Sequence, residues 1–192
     1  ASYLLTAAHA LEGAESGEVI VRFTGERAAQ RFPARVVKRG RADQLDVALL
    51  EVPGVLAPAV RMAGDVQPRL GEEIFVVGFP WGKRLGLYSG VVSQIPLDAR
   101  WDPGPGEEAG GSLLVDAAVA KGVSGGGVFR LGTGELLGIV EASQTTTVSV
   151  RGRTESYAVK VPMPGETFVV PLAQIRPFLG EAAPLEALAV AP

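Results

Sequence analysis

The stretch "KGVSGGGVF", Lys121 to Phe129, sets four glycines around one serine, and how it is read decides the fold. Glycine resists both helix and strand. The choice is therefore between a flexible surface turn and a tight backbone bend that exposes Ser124 and aims bare N–H groups outward. A serine hydroxyl is a weak nucleophile unless a base sits beside it, and acyl transfer needs donors pointed at the developing oxyanion. Gly122, two residues before Ser124, lets the bend expose its N–H without steric penalty. Together with the Ser124 N–H it forms a candidate oxyanion hole.

Two serine-hydrolase arrangements compete for this stretch. "GVSGG" fits G-x-S-x-G, the nucleophile elbow of α/β hydrolases, in which the chain order is Ser, acid, His. Here the only histidine, His9, comes first, and no helix signal directly follows Ser124. The order His9, Asp46, Ser124 is instead the one found on β-barrels. His9 lies in "LLTAAHA", where Ala7, Ala8 and Ala10 keep bulk away from the ring. A lone histidine is more often structural than catalytic; its small neighbours favour the functional reading. Asp46 opens the apolar run "DVALLEV". A carboxylate there is either an exposed turn acid or an acceptor for a histidine Nδ1–H, since burial without a partner is costly. Asp43 is a rival in the polar stretch "GRADQ", better read as solvated. A Ser124–Lys121 dyad is weaker, because nothing suggests that Lys121 is buried and neutral.

The surrounding chain favours an all-β fold. Short runs rich in Val, Ile and Phe recur between Gly and Pro punctuation: Glu18–Phe23, Ala34–Arg39, Asp46–Val52, Glu73–Phe79, Gly90–Ile95, Ser112–Val119, Gly126–Leu131 and Glu135–Ser143. Many short strands at near-regular spacing suggest a barrel or sandwich. Helical signal is confined to one turn over Thr6–Gly13 and a short C-terminal helix over Pro171–Leu179, where Leu172, Ile175 and Leu179 recur at helical spacing and Pro177 bends or ends it. Gln144–Arg153 has enough Thr and Val for a hairpin. Arg100–Gly111 reads as a Gly/Pro/acid-rich loop. Its "GPGEEAG" lacks the lysine of a phosphate loop and the strand-to-helix context. The Ala/Pro-rich Glu181–Pro192 reads as a linker or frayed end.

Composition narrows the chemistry. With 192 residues, 47% of them hydrophobic, the chain can bury a sizeable core. Eighteen Lys and Arg against 21 Asp and Glu give a net charge of −3, which does not suggest a nucleic-acid partner. The short cluster Lys38, Arg39 and Arg41 reads as a solvated turn. The absence of cysteine removes disulfides and thiolate chemistry and leaves the compartment open. A single histidine without cysteine speaks against a zinc site, so neither metal nor cofactor is expected. No apolar run reaches the length of a membrane span, and no signal peptide is visible. The opening "ASYLLTAAHA" reads as mid-strand without a starting methionine, so further residues are expected before Ala1.

Together these segments resemble a trypsin-like serine protease, and within that group the cysteine-free HtrA/Deg-type bacterial branch. "LLTAAHAL" resembles the family's His segment and "DVALLEV" its Asp segment. "LGEEIFVVGFPWG" (Leu70–Gly82) resembles the start of a second barrel, and "LYSGVVSQI" (Leu87–Ile95) the next strand. "LLVDAAVAKGVSGGGVF" (Leu113–Phe129) aligns with the run through the serine, "GELLGIVEAS" (Gly134–Ser143) with the strand after it, and "ETFVVPLAQIRPFL" (Glu166–Leu179) with the closing strand and helix. The resemblance covers almost the whole chain. It implies two six-stranded-type antiparallel β-barrels of chymotrypsin-like fold with a short C-terminal helix. Residues 1–66 would form the first barrel, 67–180 the second, and 181–192 a tail.

The resemblance also implies a serine endopeptidase with His9, Asp46 and Ser124 as its triad and Gly122 and Ser124 N–H as its oxyanion hole. Ala118, six residues before the serine, would form the base of the P1 pocket with Val119 beside it, favouring small or medium aliphatic side chains. Glu141, Ala142 and Ser143 would pair with extended substrate as an added strand. Substrates would be proteins or peptides, unfolded ones included. A homo-oligomer, a PDZ-like domain after Pro192 and a periplasmic location are compatible with the family. The sequence departs from the family in three places. Val123 stands where Asp or Asn is usual, which puts the resting state of the oxyanion hole in question. Gly127 replaces a usual proline. The family's opening strand of the first barrel is expected before Ser2, and a barrel without it would have an open edge. Those departures keep a rival reading in view, a silent or latent module that binds peptides.

Overall fold

The computed structural model describes residues 1–14, 19–64, 67–95, 111–151, 156–180 and 188–190. The strands are β1 (Ser2–Thr6), β2 (Val19–Val21), β3 (Phe32–Arg39), β4 (Ala48–Val52), β5 (Glu73–Gly78), β6 (Gly86–Gln94), β7 (Leu113–Val115), β8 (Gly127–Arg130), β9 (Leu136–Arg151), β10 (Ser156–Pro171) and β11 (Leu188–Val190), with the helix α1 at Leu172–Leu179. The all-β expectation with a short terminal helix therefore holds. Strands β5 to β10 close a six-stranded barrel in the order β10-β7-β6-β5-β8-β9. The remaining strands form a five-stranded sheet, β11-β1-β4-β3-β2, where a six-stranded-type barrel was expected. Strand β1 is not an edge of this sheet, which stays open at β11 and β2. Strand β11 pairs in parallel with β1, Tyr3 opposite Leu188 and Leu5 opposite Val190, so that part of the tail is strand and not a frayed end. The loop expected over Arg100–Gly111, apart from Gly111, lies outside the described residues, as does the boundary expected at Val66.

Strands β1 and β4 explain why both halves hold together. They pair antiparallel, with Leu4 opposite Leu50 and Leu5 opposite Leu49. Side chains alternate across a strand, and here both faces are apolar. Leu4, Ala48 and Leu50 point into the core of the first half with Leu11 and Val55. Leu5, Val47 and Leu49 point the other way, into a core shared with barrel residues such as Ile74, Val76, Val128 and Ile139. A strand buried on both faces reads as a continuous apolar run, which is why "DVALLEV" shows no alternation.

Helix α1 buries Leu172, Ile175 and Leu179 on one stripe, against the same shared core. It is tied back at Arg176, whose guanidinium donates to the Ala63 carbonyl, and at Phe178, whose carbonyl accepts from Lys38 Nζ at 2.5 Å. Gln144–Arg153, expected as a hairpin by itself, runs as the far end of the single strand β9 as far as Arg151. Beyond the barrel, β9 and β10 continue as a two-stranded ribbon from Thr145 opposite Pro162 to Arg151 opposite Ser156. None of its described side chains belongs to either core. Among the described residues, no helix is long and apolar enough to cross a membrane.

Candidate active site

Strand register brings His9 and Asp46 together. Thr6 lies opposite Ala48, so continuing the antiparallel ladder sets Asp46 opposite Ala8, one residue before the histidine. After β1 the chain tightens into a single 3₁₀ turn, His9–Leu11, with the Glu12 N–H donating to the His9 carbonyl at 3.0 Å. The small residues around His9 permit that turn against the sheet: Ala7 and Ala8 are buried. The Asp46 side chain is 4% exposed and that of His9 38%. Asp46 Oδ1 accepts the His9 backbone N–H at 2.7 Å, and Oδ2 lies 2.5 Å from His9 Nδ1. An ionised carboxylate only accepts, so Nδ1 carries the hydrogen and Nε2 is left as the basic nitrogen. Asp43 makes a different contact, an exposed pair with Arg41, as its polar surroundings indicated.

The loop that carries Ser124 packs on the end of β1. Gly125 has φ +83°, and a Cβ there would lie 2.5 Å from Thr6 Oγ1 and 2.8 Å from Ala7 N. Only glycine fits so close to another backbone. The contact sets the residue after the serine against the segment that leads into His9. On its other side the loop is bonded to β9: Gly125 N–H donates to the Val140 carbonyl at 2.7 Å, and Val140 N–H to the Gly126 carbonyl at 2.8 Å. Ser124 is half-buried, and among the described residues its hydroxyl makes no hydrogen bond. In unliganded sites such bonds are often long and tighten only with substrate.

The two candidate oxyanion donors stand free. Neither the Gly122 nor the Ser124 N–H has a protein acceptor among the described residues, whereas Val123, Gly125 and Gly126 N–H all do. Sequence reasoning missed what orients the first of them. Lys121 carbonyl accepts from Trp81 N–H at 2.7 Å. In a trans peptide the carbonyl and the following N–H point in opposite directions, so this bond turns Gly122 N–H away from Trp81. Gly122 itself has φ +94°, and a Cβ there would lie 2.8 Å from Trp81 N. Trp81 has φ +57°, a left-handed conformation that costs energy in a non-glycine residue. "PWG" signals a turn, but nothing in it reveals that the tryptophan takes the strained position.

The residues expected to bind substrate lie around this loop. Ala118 is exposed and Val119 half-buried, the latter against the shared core. Thr167 Oγ1 donates to the Ala117 carbonyl at 2.7 Å and fixes the chain just before them. On β9, Glu141 is half-buried and accepts from Ser112 Oγ at 3.4 Å, while Ala142 and Ser143 pair with Phe168 and Thr167 of β10. The opposite edge of β9 pairs with β8 only as far as Ile139. A cavity of about 190 Å³ lined by Ala63, Leu137, Leu172 and Arg176 shares no residue with this site. Among the described residues no three His, Cys, Asp or Glu side chains converge as a metal site.

Residues 1–139 match the trypsin-like peptidase domain family. The chain is similar to a probable periplasmic serine protease, do/HhoA-like, of Haemophilus influenzae, at 32% identity over 83% of this chain and 31% of the relative. It is also similar to a probable periplasmic serine endoprotease, DegP-like, of Ectopseudomonas mendocina, at 31% identity over 71% of this chain and 26% of the relative. The chain thus spans less than a third of the length of either. Among solved structures, the serine endoprotease from Yersinia pestis superposes with a TM-score of 0.66 at 22% identity, covering 91% of this chain and 51% of that one.

Proposed function

Because the chain belongs to the trypsin-like peptidase family, we propose that it carries the catalytic domain of an HtrA-type serine endopeptidase, with His9, Asp46 and Ser124 as its triad. The observation that carries this reading is Asp46. Its buried carboxylate has one oxygen on the His9 backbone and the other on the ring, an arrangement that fixes a tautomer and serves no evident packing purpose.

The chemistry then follows. Ser124 Oγ attacks the scissile carbonyl carbon while His9 Nε2 takes its proton, and Asp46 stabilises the imidazolium. Gly122 and Ser124 N–H receive the negative charge that develops on the carbonyl oxygen. The imidazolium gives its proton to the departing amine, leaving an ester on Ser124. Water, deprotonated by His9, hydrolyses that ester and restores the serine. No cofactor is required. Ala118 and Val119 offer a P1 side chain a small apolar surface, which favours aliphatic groups of small or medium size. Glu141–Ser143 of β9 take extended peptide as an added strand, so unfolded chains are the substrate class. The first half, residues 1–66, contributes His9 and Asp46; the second, residues 67–180, contributes Ser124 and the pocket. The names of the relatives support action outside the cytoplasm.

Labelling with a fluorophosphonate tests the nucleophile. The wild-type chain is expected to take one label, and Ser124→Ala none. If the wild type stays unlabelled with casein or an apolar peptide present, the reading fails.

A further inference from the structure

The residue before the serine explains how the oxyanion loop is held. Val123 is 1% exposed and belongs to the shared core. Its Cγ1 fills the space above Gly78 on β5, where an added Cβ would lie only 2.7 Å away. Its backbone is fixed as well: Val123 N–H donates to the Ala120 carbonyl at 3.3 Å, and its carbonyl accepts from Gly126 N–H at 2.8 Å. On one side the Lys121 carbonyl is held by Trp81 N–H; on the other, Gly125 and Gly126 are bonded to Val140. Every peptide flanking the two free donors is therefore committed, and no charged group takes part.

We infer that Val123 is a positioning residue, an apolar plug that seats the oxyanion loop in its donor-outward form without any activating partner. This rests on the reading of Ser124 as the nucleophile. An Asp or Asn at this position, usual in chains that resemble this one, would be buried against Gly78 and aliphatic side chains at the cost of an unpaired polar group. Here the side chain gains by burial, so the loop is seated by the same packing that folds the barrel. Activity is then present at rest and is not raised by added peptide.

The pairing of Val123 with Gly78 gives the test. Acylation by a fluorophosphonate and turnover of a peptide ester are measured for wild type, Val123→Ala, Gly78→Ala and the double variant. Val123→Ala opens space and loosens the loop; Gly78→Ala pushes on Cγ1. Gly78 lacks a positive φ, so alanine is tolerated there once Cγ1 is gone. The wild type is expected to label as a single phase without lag, at a rate unchanged by added peptide. Each single variant is expected to lose about tenfold or more in kcat with KM within about twofold, as for a weakened oxyanion donor. The double variant is expected to regain part of that loss, since its methyl fills the place of Cγ1, one of the two methyls removed. Labelling that needs added peptide, a Val123→Ala enzyme with wild-type kcat, or a double variant no better than the singles would each overturn the inference while leaving Ser124 as the nucleophile. A wild type that never labels would overturn both.

Discussion

Asp46 shows how one side chain sets the chemistry of another. Both of its oxygens are committed to His9, so replacing one of them by an amide should damage catalysis without disturbing the fold. In Asp46→Asn the amide nitrogen can face Nδ1, which then accepts and leaves the hydrogen on Nε2, the wrong tautomer for a base. A fall of about 10⁴ in kcat is expected, with KM little changed; steady-state kinetics on a peptide ester would check it. The three residues proposed as the triad stand out in the sequence because each sits in a short segment with its own local logic: small residues around His9, an acid at the start of an apolar strand, glycines around Ser124. Val123 was not legible in the same way. Its departure from the family pattern left the state of the loop open, and only its burial against Gly78 shows what it does. That contact joins positions 45 residues apart, and no local pattern encodes it.

At the scale of elements, three strands of the barrel are laced by one arginine. Arg130 on β8 donates to Glu72, just before β5, and to Glu135, just before β9, the latter at 2.7 Å. Burial alone would raise the Glu72 carboxyl, but hydrogen bonds from Arg130 and the Arg69 backbone outweigh it and hold the group below its ordinary range. The Thr133 hydroxyl and then Arg130 do the same for Glu135. A carboxyl depressed in the folded state adds stability above its unfolded value, near 4.5 here, and that stability is lost as pH falls through the folded value. Denaturant titrations should therefore show stability dropping below about pH 4.5, more steeply in wild type than in Glu72→Gln/Glu135→Gln. The strands themselves were legible to within a few residues, because alternation and turn signals are local. The exceptions have a physical cause. The run Ser112–Val119 yields only Leu113–Val115, since after Val115 the chain leaves the sheet to build the loop that ends at Ser124. Conversely, β9 outruns its apolar signal because Thr145–Arg151 pairs in a ribbon that needs no core.

For the whole molecule, the shared core makes the two halves one folding unit. Leu5 is fully buried on the face of β1 that meets the barrel, so Leu5→Ala should cost about 2–5 kcal/mol. Near-UV dichroism and loss of labelling should still change together in a single transition; two separate transitions would show that the halves fold apart. What the sequence hid at this scale was the partner of β1. "EAAPLEALAVAP" carries no alternation or turn signal that marks a strand, and its place was set by an edge almost the whole chain away. That placement has a mechanical consequence. Because β1 and β11 run parallel, tension applied at the amino end of one and the carboxyl end of the other pulls them past each other. The bonds between them are loaded together in shear, where an antiparallel pair pulled from one end would peel bond by bond. A load carried along the chain thus meets its first resistance at the seam beside the strand that leads into His9, and the proposed base would feel such a force before the proposed nucleophile does.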